Sequence, residues 1–205
     1  MSQPIKSVSK LSRAVGEKLI LKGARDEGTK NALTRKPYPP GQHGQNKRGK
    51  LSDYARQLRE KQKARYIYYL PERQMRKIFN SASRSRKNTG TRLMQLLECR
   101  VDNILYRAGF ADSRRQSRQF ISHGLITING KKSKAPSFTM KVGDTIKFIK
   151  PPKVIETVKK QPEQPKWIEV DEKNKLIKLV AIPERDQIAT TLDEQLIVEY
   201  YSRLT

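Results

Sequence analysis

Between Thr91 and Ala108 the apolar residues Leu93, Leu96, Leu97, Val101, Ile104, Leu105 and Ala108 recur at the three- and four-residue steps of one helical face. Gly109 stands where a left-handed residue would close that helix. The spacing predicts one helix here, with Cys99, Arg100 and Arg107 off the stripe or at its margin. Ser113-Arg114-Arg115-Gln116 then has the form of a capping box, in which the Ser hydroxyl and the Gln amide each satisfy a first-turn donor. It predicts a short helix ending at Gly124, with Phe120 and Ile121 toward the core. Leu125 to Ile128 follows as a strand, Asn129-Gly130 is the dipeptide best suited to a tight hairpin turn, and the return strand carries Lys131, Lys132 and Lys134. Pro136 marks a break, Gly143-Asp144 a turn, and Thr145 to Lys150 alternates as a half-buried strand.

Upstream, Ser52 is a good cap for a helix running to Leu70, and Pro71 opens a second one whose apolar positions are Met75, Ile78, Phe79 and Ala82. Arg84 to Gly90 is a basic linker. Residues 1–50 show little periodicity and end in the Pro- and Gly-rich run Lys36 to Lys50, which predicts extended, polyproline-like chain ordered by whatever it lies against. Downstream, 151–165 is a Pro/Lys-rich connection without an assignment. Trp167 to Val170 and Leu176 to Val180 pair as a hairpin, and Thr191 to Glu194 forms another capping box ahead of a last helix bearing Leu196, Ile197, Tyr200 and Tyr201. The predicted class is α+β in three parts: an extended basic N-terminal arm (1–50), a helical domain (51–90) joined by the C-terminal helix (191–205), and a domain of helices packed on a small antiparallel sheet (91–190). No internal repeat occurs.

The 205 residues are only 35% hydrophobic, which limits the chain to small cores. No run approaches the length of a membrane span, and Met1 to Lys10 lacks the apolar centre of a secretory signal, so an intracellular protein without a membrane partner is expected. The one cysteine, Cys99, has no disulfide partner and suits a small buried position. Charge changes the picture most. The chain carries 44 Lys+Arg against 20 Asp+Glu, a net charge of +24. By segment, 1–50 hold 12 basic and 3 acidic residues, 51–98 hold 12 and 4, 99–150 hold 11 and 3, and 151–205 hold 9 and 10. The excess therefore spreads over segments that also carry folding signals, so a folded surface meets a polyphosphate. A basic face with no partner would repel itself.

Candidate contacts follow from that expectation. Ser113, Arg114, Arg115, Gln116 and Arg118 gather cations and free amides at a helix start, a combination suited to phosphate; a solvated arginine face is the bland alternative. His123 lies at the end of that helix, and Asn129, Lys131, Lys132 and Lys134 lie on the hairpin. Arg84, Arg86 and Lys87 come from the linker, and Lys47, Arg48 and Lys50 from the arm. Tyr38, Tyr66, Tyr68 and Tyr69 either stack on bases or pack internally. Catalytic chemistry is missing. His43 and His123 are the only histidines, neither has a metal- or triad-like neighbourhood, no nucleotide-binding Gly-rich loop occurs, and the acids of the basic region are scattered. No enzyme activity, cofactor, metal or small-molecule substrate is expected.

The stretch Ser113 to Gly124, with Ile128-Asn129-Gly130-Lys131-Lys132 and Val142-Gly143-Asp144, resembles the S4 RNA-binding module. Arg35 to Gly44, Leu51-Ser52-Asp53-Tyr54, Gln57 to Lys63, Glu72 to Lys77, Asn88-Thr89-Gly90, Leu96-Leu97-Glu98 and Glu194 to Arg203 extend the likeness, so that the whole chain resembles the bacterial S4 family of small-subunit ribosomal proteins. The resemblance implies a primary binder of small-subunit ribosomal RNA at a multi-helix junction, which nucleates assembly of the subunit body in the cytoplasmic ribosome; an organellar ribosome stays open. It also implies contacts with ribosomal protein S5, through which decoding accuracy is influenced, and with other small-subunit proteins. Some members repress translation of their own mRNA. Many members carry a four-cysteine zinc site, and the matching positions here resemble Ser9, Ser12, Asp26 and Asn31, a poor zinc set. No zinc is predicted, with the arm held by RNA instead. Two rivals are weighed: an RNA-modifying enzyme bearing the same module, such as a pseudouridine synthase, for which too little chain remains, and a free-standing RNA-binding regulator.

Overall fold

The computed structural model describes residues 7–23, 26, 28–29, 31–46, 50–86, 88–152 and 165–204. Contacts divide the chain into two units, 1–93 with 190–205, and 94–189.

The first unit contains helices α1 (Val8–Val15), α2 (Ala32–Arg35), α3 (Asp53–Ile67), α4 (Glu72–Ser83) and the C-terminal α8 (Glu194–Ser202), and α5 (Thr89–Glu98) begins in it. Ser52 caps α3, its Oγ accepting from the Ala55 amide at 3.3 Å. Apolar packing contributes little to α3, whose buried residues are Gln57, Lys61, Lys63 and Ala64. Polar ties hold it instead. Lys61 Nζ lies 2.9 Å from Glu72 Oε2, Gln57 Nε2 donates to Glu199 Oε2 at 2.8 Å, and Lys63 Nζ meets Glu17 Oε2 at 2.7 Å and the Thr191 carbonyl at 2.6 Å. Phe79 of α4 stacks on Tyr201 of α8 at 4.7 Å.

Two expectations change in this unit. Residues 1–50 are not extended throughout. Leu11, Val15 and Leu19, four residues apart, are all buried, and the first two lie on α1, which Gly16 closes at φ 82°. Three apolar residues among lysines and serines are too sparse to stand out as a periodic signal. The Pro-rich run is held by its own chain: Arg13 donates from Nε to the Tyr38 carbonyl (2.9 Å) and from Nη2 to that of Pro39 (3.2 Å), while its guanidinium covers the Tyr38 ring at 4.8 Å. The last helix is also capped differently. Asp193 Oδ1, rather than Thr191, accepts from the Gln195 and Leu196 amides, at 3.0 and 3.3 Å.

The second unit carries α6 (Val101–Arg107), α7 (Arg114–Ser122) and five strands: β1 (Ile126–Ile128), β2 (Lys131–Ser133), β3 (Thr145–Phe148), β4 (Ile168–Asp171) and β5 (Leu176–Leu179). They form one antiparallel sheet in the order β2-β1-β3-β5-β4. Ile126, Ile128, Ile146, Phe148, Ile177 and Leu179 face a core shared with Val101, Ile104, Leu105, Phe120 and Ile121, and Trp167 is almost wholly buried in it. Asn129 (φ 49°) and Gly130 (φ 78°) both take the positive φ of the tight hairpin turn.

The single helix expected over 91–108 is two. Arg100 is extended (φ −72°, ψ 140°) and bridges Thr139, while the Met140 amide donates to the Cys99 carbonyl at 2.8 Å. Arg100 also pairs with Asp102 at 2.7 Å, both side chains 4% exposed. Residues two apart on a helix do not face each other, so this buried pair requires the break. The apolar stripe hides it because both halves turn their apolar side inward.

Candidate nucleic-acid interface

The start of α7 is built by side chains that close its free amides. Ser113 Oγ accepts from the Gln116 amide at 3.3 Å, and Gln116 Oε1 accepts from the Asp112 amide at 2.6 Å. The glutamine therefore reaches one residue beyond the cap instead of completing the reciprocal box. Ser113 and Gln116 meet the backbone through acceptor oxygens, and the positive charge at this helix end comes from the arginines.

Arg114 is held from behind. Its Nε donates to Asn103 Oδ1 at 2.7 Å, and its guanidinium lies over the Tyr106 ring at 4.5 Å. Asn103 donates in turn to the Glu98 carbonyl (2.9 Å) and to Glu98 Oε2 (2.7 Å). Glu98, whose side chain is fully buried, receives Arg107 through both oxygens, at 3.1 and 2.8 Å. This run from Arg107 to Arg114 lets the fold keep a cation in one orientation at the surface. The sequence pattern missed Glu98, Asn103 and Arg107; the four-residue spacing of Asn103 and Arg107 was the available signal.

Arg115 is exposed and Arg118 half-buried on the same helix, and His123, Lys131, Lys132 and Lys134 are exposed. Gly124, at φ 69°, ends the helix under the hairpin lysines. A Cβ there would stand 2.8 Å from Lys132 Cε and 3.3 Å from Lys134 Cε, so the two lysine stems run across it. The structure thus brings the end of α7 and the hairpin lysines together. Asn129 is placed otherwise: its Nδ2 donates to Asp144 Oδ1 at 2.8 Å and its Oδ1 accepts from the Thr145 amide at 2.9 Å, which locks the turn.

The remaining expected residues lie in the first unit. Lys50, Arg84 and Arg86 are exposed there. Lys47, Arg48 and Lys87 lie outside the described residues. Of the tyrosines, Tyr68 is 2% exposed and so packs internally, Tyr38 has one face under Arg13, and Tyr66 and Tyr69 are half-buried.

Ser9, Ser12, Asp26 and Asn31 do not fit zinc. They include neither thiolate nor imidazole, and their polar atoms serve the chain. Asp26 Oδ2 accepts from the Leu21 and Lys22 amides at 3.0 and 2.9 Å. Asn31 donates to the Asp26 carbonyl and caps α2 through the Leu33 amide, both at 2.8 Å. Ser12 Oγ donates to the Leu19 carbonyl at 3.4 Å, and Lys22 sets an ammonium 3.3 Å from Ser9 Oγ. No cluster of three metal-ligating side chains occurs among the described residues.

What the arrangement offers is donors. Guanidinium groups at a helix start and ammonium groups on a hairpin are chemically suited to oxyanions rather than to reading base identity.

Comparison with known proteins agrees with this chemistry. Family profiles match residues 4–98 as "Ribosomal protein S4/S9 N-terminal domain" and residues 99–146 as "S4 domain". The "Small ribosomal subunit protein uS4" of Thermodesulfovibrio yellowstonii is 46% identical over 203 residues, covering 96% of this chain and 97% of that one. The protein of the same name from Thermus thermophilus is 43% identical over 209 residues (99% and 100%), and that of Gloeobacter violaceus 46% over 202 residues (96% and 97%).

Proposed function

The chain belongs to the uS4 family of small ribosomal subunit proteins, and from that premise we propose that it recognises a multi-helix junction of small-subunit ribosomal RNA through the shape of its backbone. It is a structural, non-enzymatic protein of the small subunit that binds ribosomal RNA and stands among other ribosomal proteins. The observation that carries the finer reading is Arg114 fixed by Asn103 and Tyr106 on the helix whose far end lies beside Lys132 and Lys134. Cations held at set positions select among backbone paths, and the major groove of an RNA duplex is too narrow for side chains to read.

Binding begins with displacement of condensed counterions by lysine and arginine, and Arg114, Arg115, Arg118, Lys131, Lys132 and Lys134 then fix the register on phosphates. Gripping a junction early would gather its helices and nucleate assembly of the subunit body. Contact with ribosomal protein S5, with its effect on decoding accuracy, and repression of the protein's own mRNA belong to the same reading. An mRNA would be taken where its fold presents phosphates as the junction does.

The test is a salt titration of affinity for a ribosomal RNA fragment containing the junction, beside a size-matched RNA with the junction scrambled. Steep salt dependence with strong preference for the intact junction is the expected result. Equal affinity for both would overturn shape recognition.

A further inference from the structure

The first unit is interrupted in sequence, because residues 94–189, the whole of the second unit, fall between its two stretches. The two units differ in what their folding requires. The buried apolar core that the sheet shares with α6 and α7 runs from Cys99 to Leu179, so it is complete before residue 190. The first unit is closed only by α8. α3 buries Gln57, Lys61, Lys63 and Ala64, a face whose one apolar member is Ala64. The C-terminal stretch covers that face: Gln57 donates to Glu199 Oε2, Lys61 Nζ lies over the Tyr200 ring at 4.6 Å, and Lys63 donates to the Thr191 carbonyl. Ile197, Tyr200 and Tyr201 are buried on α8, and the Tyr201 hydroxyl donates to Glu72 of α4 at 2.9 Å.

Joining Gln57 to Glu199 through open chain means closing a loop of 142 residues, and the entropy lost in closure grows with loop length. A folded second unit removes most of that length because its two ends meet. Gln95 Nε2 donates to the Pro183 carbonyl at 3.2 Å in a buried hydrogen bond between residues 88 apart. Just outside those ends, within the first unit, Gly90 touches Glu194 so closely that a Cβ on the glycine would stand 2.8 Å from Glu194 Cγ. We infer that the second unit folds first and that α8 is a latch which then closes the first unit, reversing the N-terminal-first order usual for domains made in sequence. Until residues 190–202 have been made, α3 has almost no apolar face to pack, whereas α7 and the hairpin already stand on a finished core. The dependence runs one way. The first unit opens when its latch is weakened, and the second unit stays folded.

The chain carries its own probes for this, since its one tryptophan and one cysteine, Trp167 and Cys99, are both buried in the second unit. The unmodified full-length chain is diluted out of urea and followed by Trp167 fluorescence, while pulsed hydrogen exchange read by mass spectrometry reports on α3, α4 and α8. Trp167 is expected to reach its native signal before those three helices become protected. Protection of the helices first, or in step with Trp167, overturns the order. At equilibrium, Tyr201→Ala is expected to speed amide exchange in α3 and α4 by at least about tenfold. In the same variant the urea midpoint of Trp167, the rate of Cys99 labelling by a thiol reagent and the protection of α7 should stay as they are in the unmodified chain. A variant whose Trp167 transition falls together with the protection of α3 and α4, or in which Trp167 is already unfolded without urea, overturns the one-way dependence. Unchanged exchange in α3 and α4 overturns the latch. Because the refolding measurement uses no substitution, it judges the order whatever Tyr201→Ala does to stability.

Discussion

Arg114 divides its guanidinium between two tasks. Its Nε and one ring-stacked face are spent on Asn103 and Tyr106, which fix where the rest of the group points. Removing the charge and removing its support should therefore give different signatures. Arg114→Ala, and likewise Arg118→Ala, is expected to weaken binding of the junction RNA and to lower the salt slope by about one, measured by the same titration. Asn103→Ala keeps every cation. It should lower affinity with the slope unchanged, and it should cost about 1 to 3 kcal/mol of stability because buried Glu98 loses a donor. A slope that fell in Asn103→Ala would mean that Arg114 leaves its phosphate altogether once Asn103 no longer holds it. The cationic residues were legible in the sequence because charge without acidic partners has few roles besides binding an anion. Glu98 and Asn103 were not, since only the folded chain shows that their polar atoms face inward.

At the scale of elements, the hairpin and α7 were legible for local reasons. Asn-Gly favours positive φ at both turn positions, and a serine three residues before a glutamine closes a helix start with side chains that are adjacent in sequence. Elements that depend on distant partners were not. α1 buries Leu11 and Val15 within a segment too polar to announce a helix, and the break before α6 depends on Arg100 bridging Thr139. The break also predicts an energy. Asp102→Ala would leave the Arg100 guanidinium buried with only the Pro136 carbonyl, 3.3 Å away, to receive it. A loss of roughly 3 to 5 kcal/mol is expected from such an unpaired buried charge, read from chemical denaturation. If α5 and α6 were one helix, Arg100 and Asp102 would point apart and the substitution would cost little. Asp102→Asn, which keeps an acceptor of the same shape, should lie between the two.

Across the whole molecule the excess of cations sets both function and vulnerability. A net charge of +24 was the plainest message of the sequence and it explains why RNA is the partner, yet the count could not tell which acids the fold relies on. Glu72 is one of them. It receives Lys61 at 2.9 Å, Arg65 at 3.0 Å and the Tyr201 hydroxyl at 2.9 Å, and so ties α3, α4 and α8 together. Burial pushes its pKa upward, but the hydrogen bond and charge of Lys61, the Tyr201 hydroxyl and Arg65 together outweigh that effect, and the carboxyl ends below its usual 4.5. A carboxylate with a depressed folded-state pKa stabilises fully above its unfolded value, and this contribution disappears as the pH falls through the folded one. The melting temperature should therefore drop more steeply below about pH 4.5 in the unmodified chain than in Glu72→Gln, which starts lower at neutral pH and converges with it in acid. General protonation of the other carboxylates raises self-repulsion in both proteins alike. The difference between their two melting curves from pH 7 to pH 3 consequently isolates Glu72, and parallel curves would show that its network is not what acid dismantles.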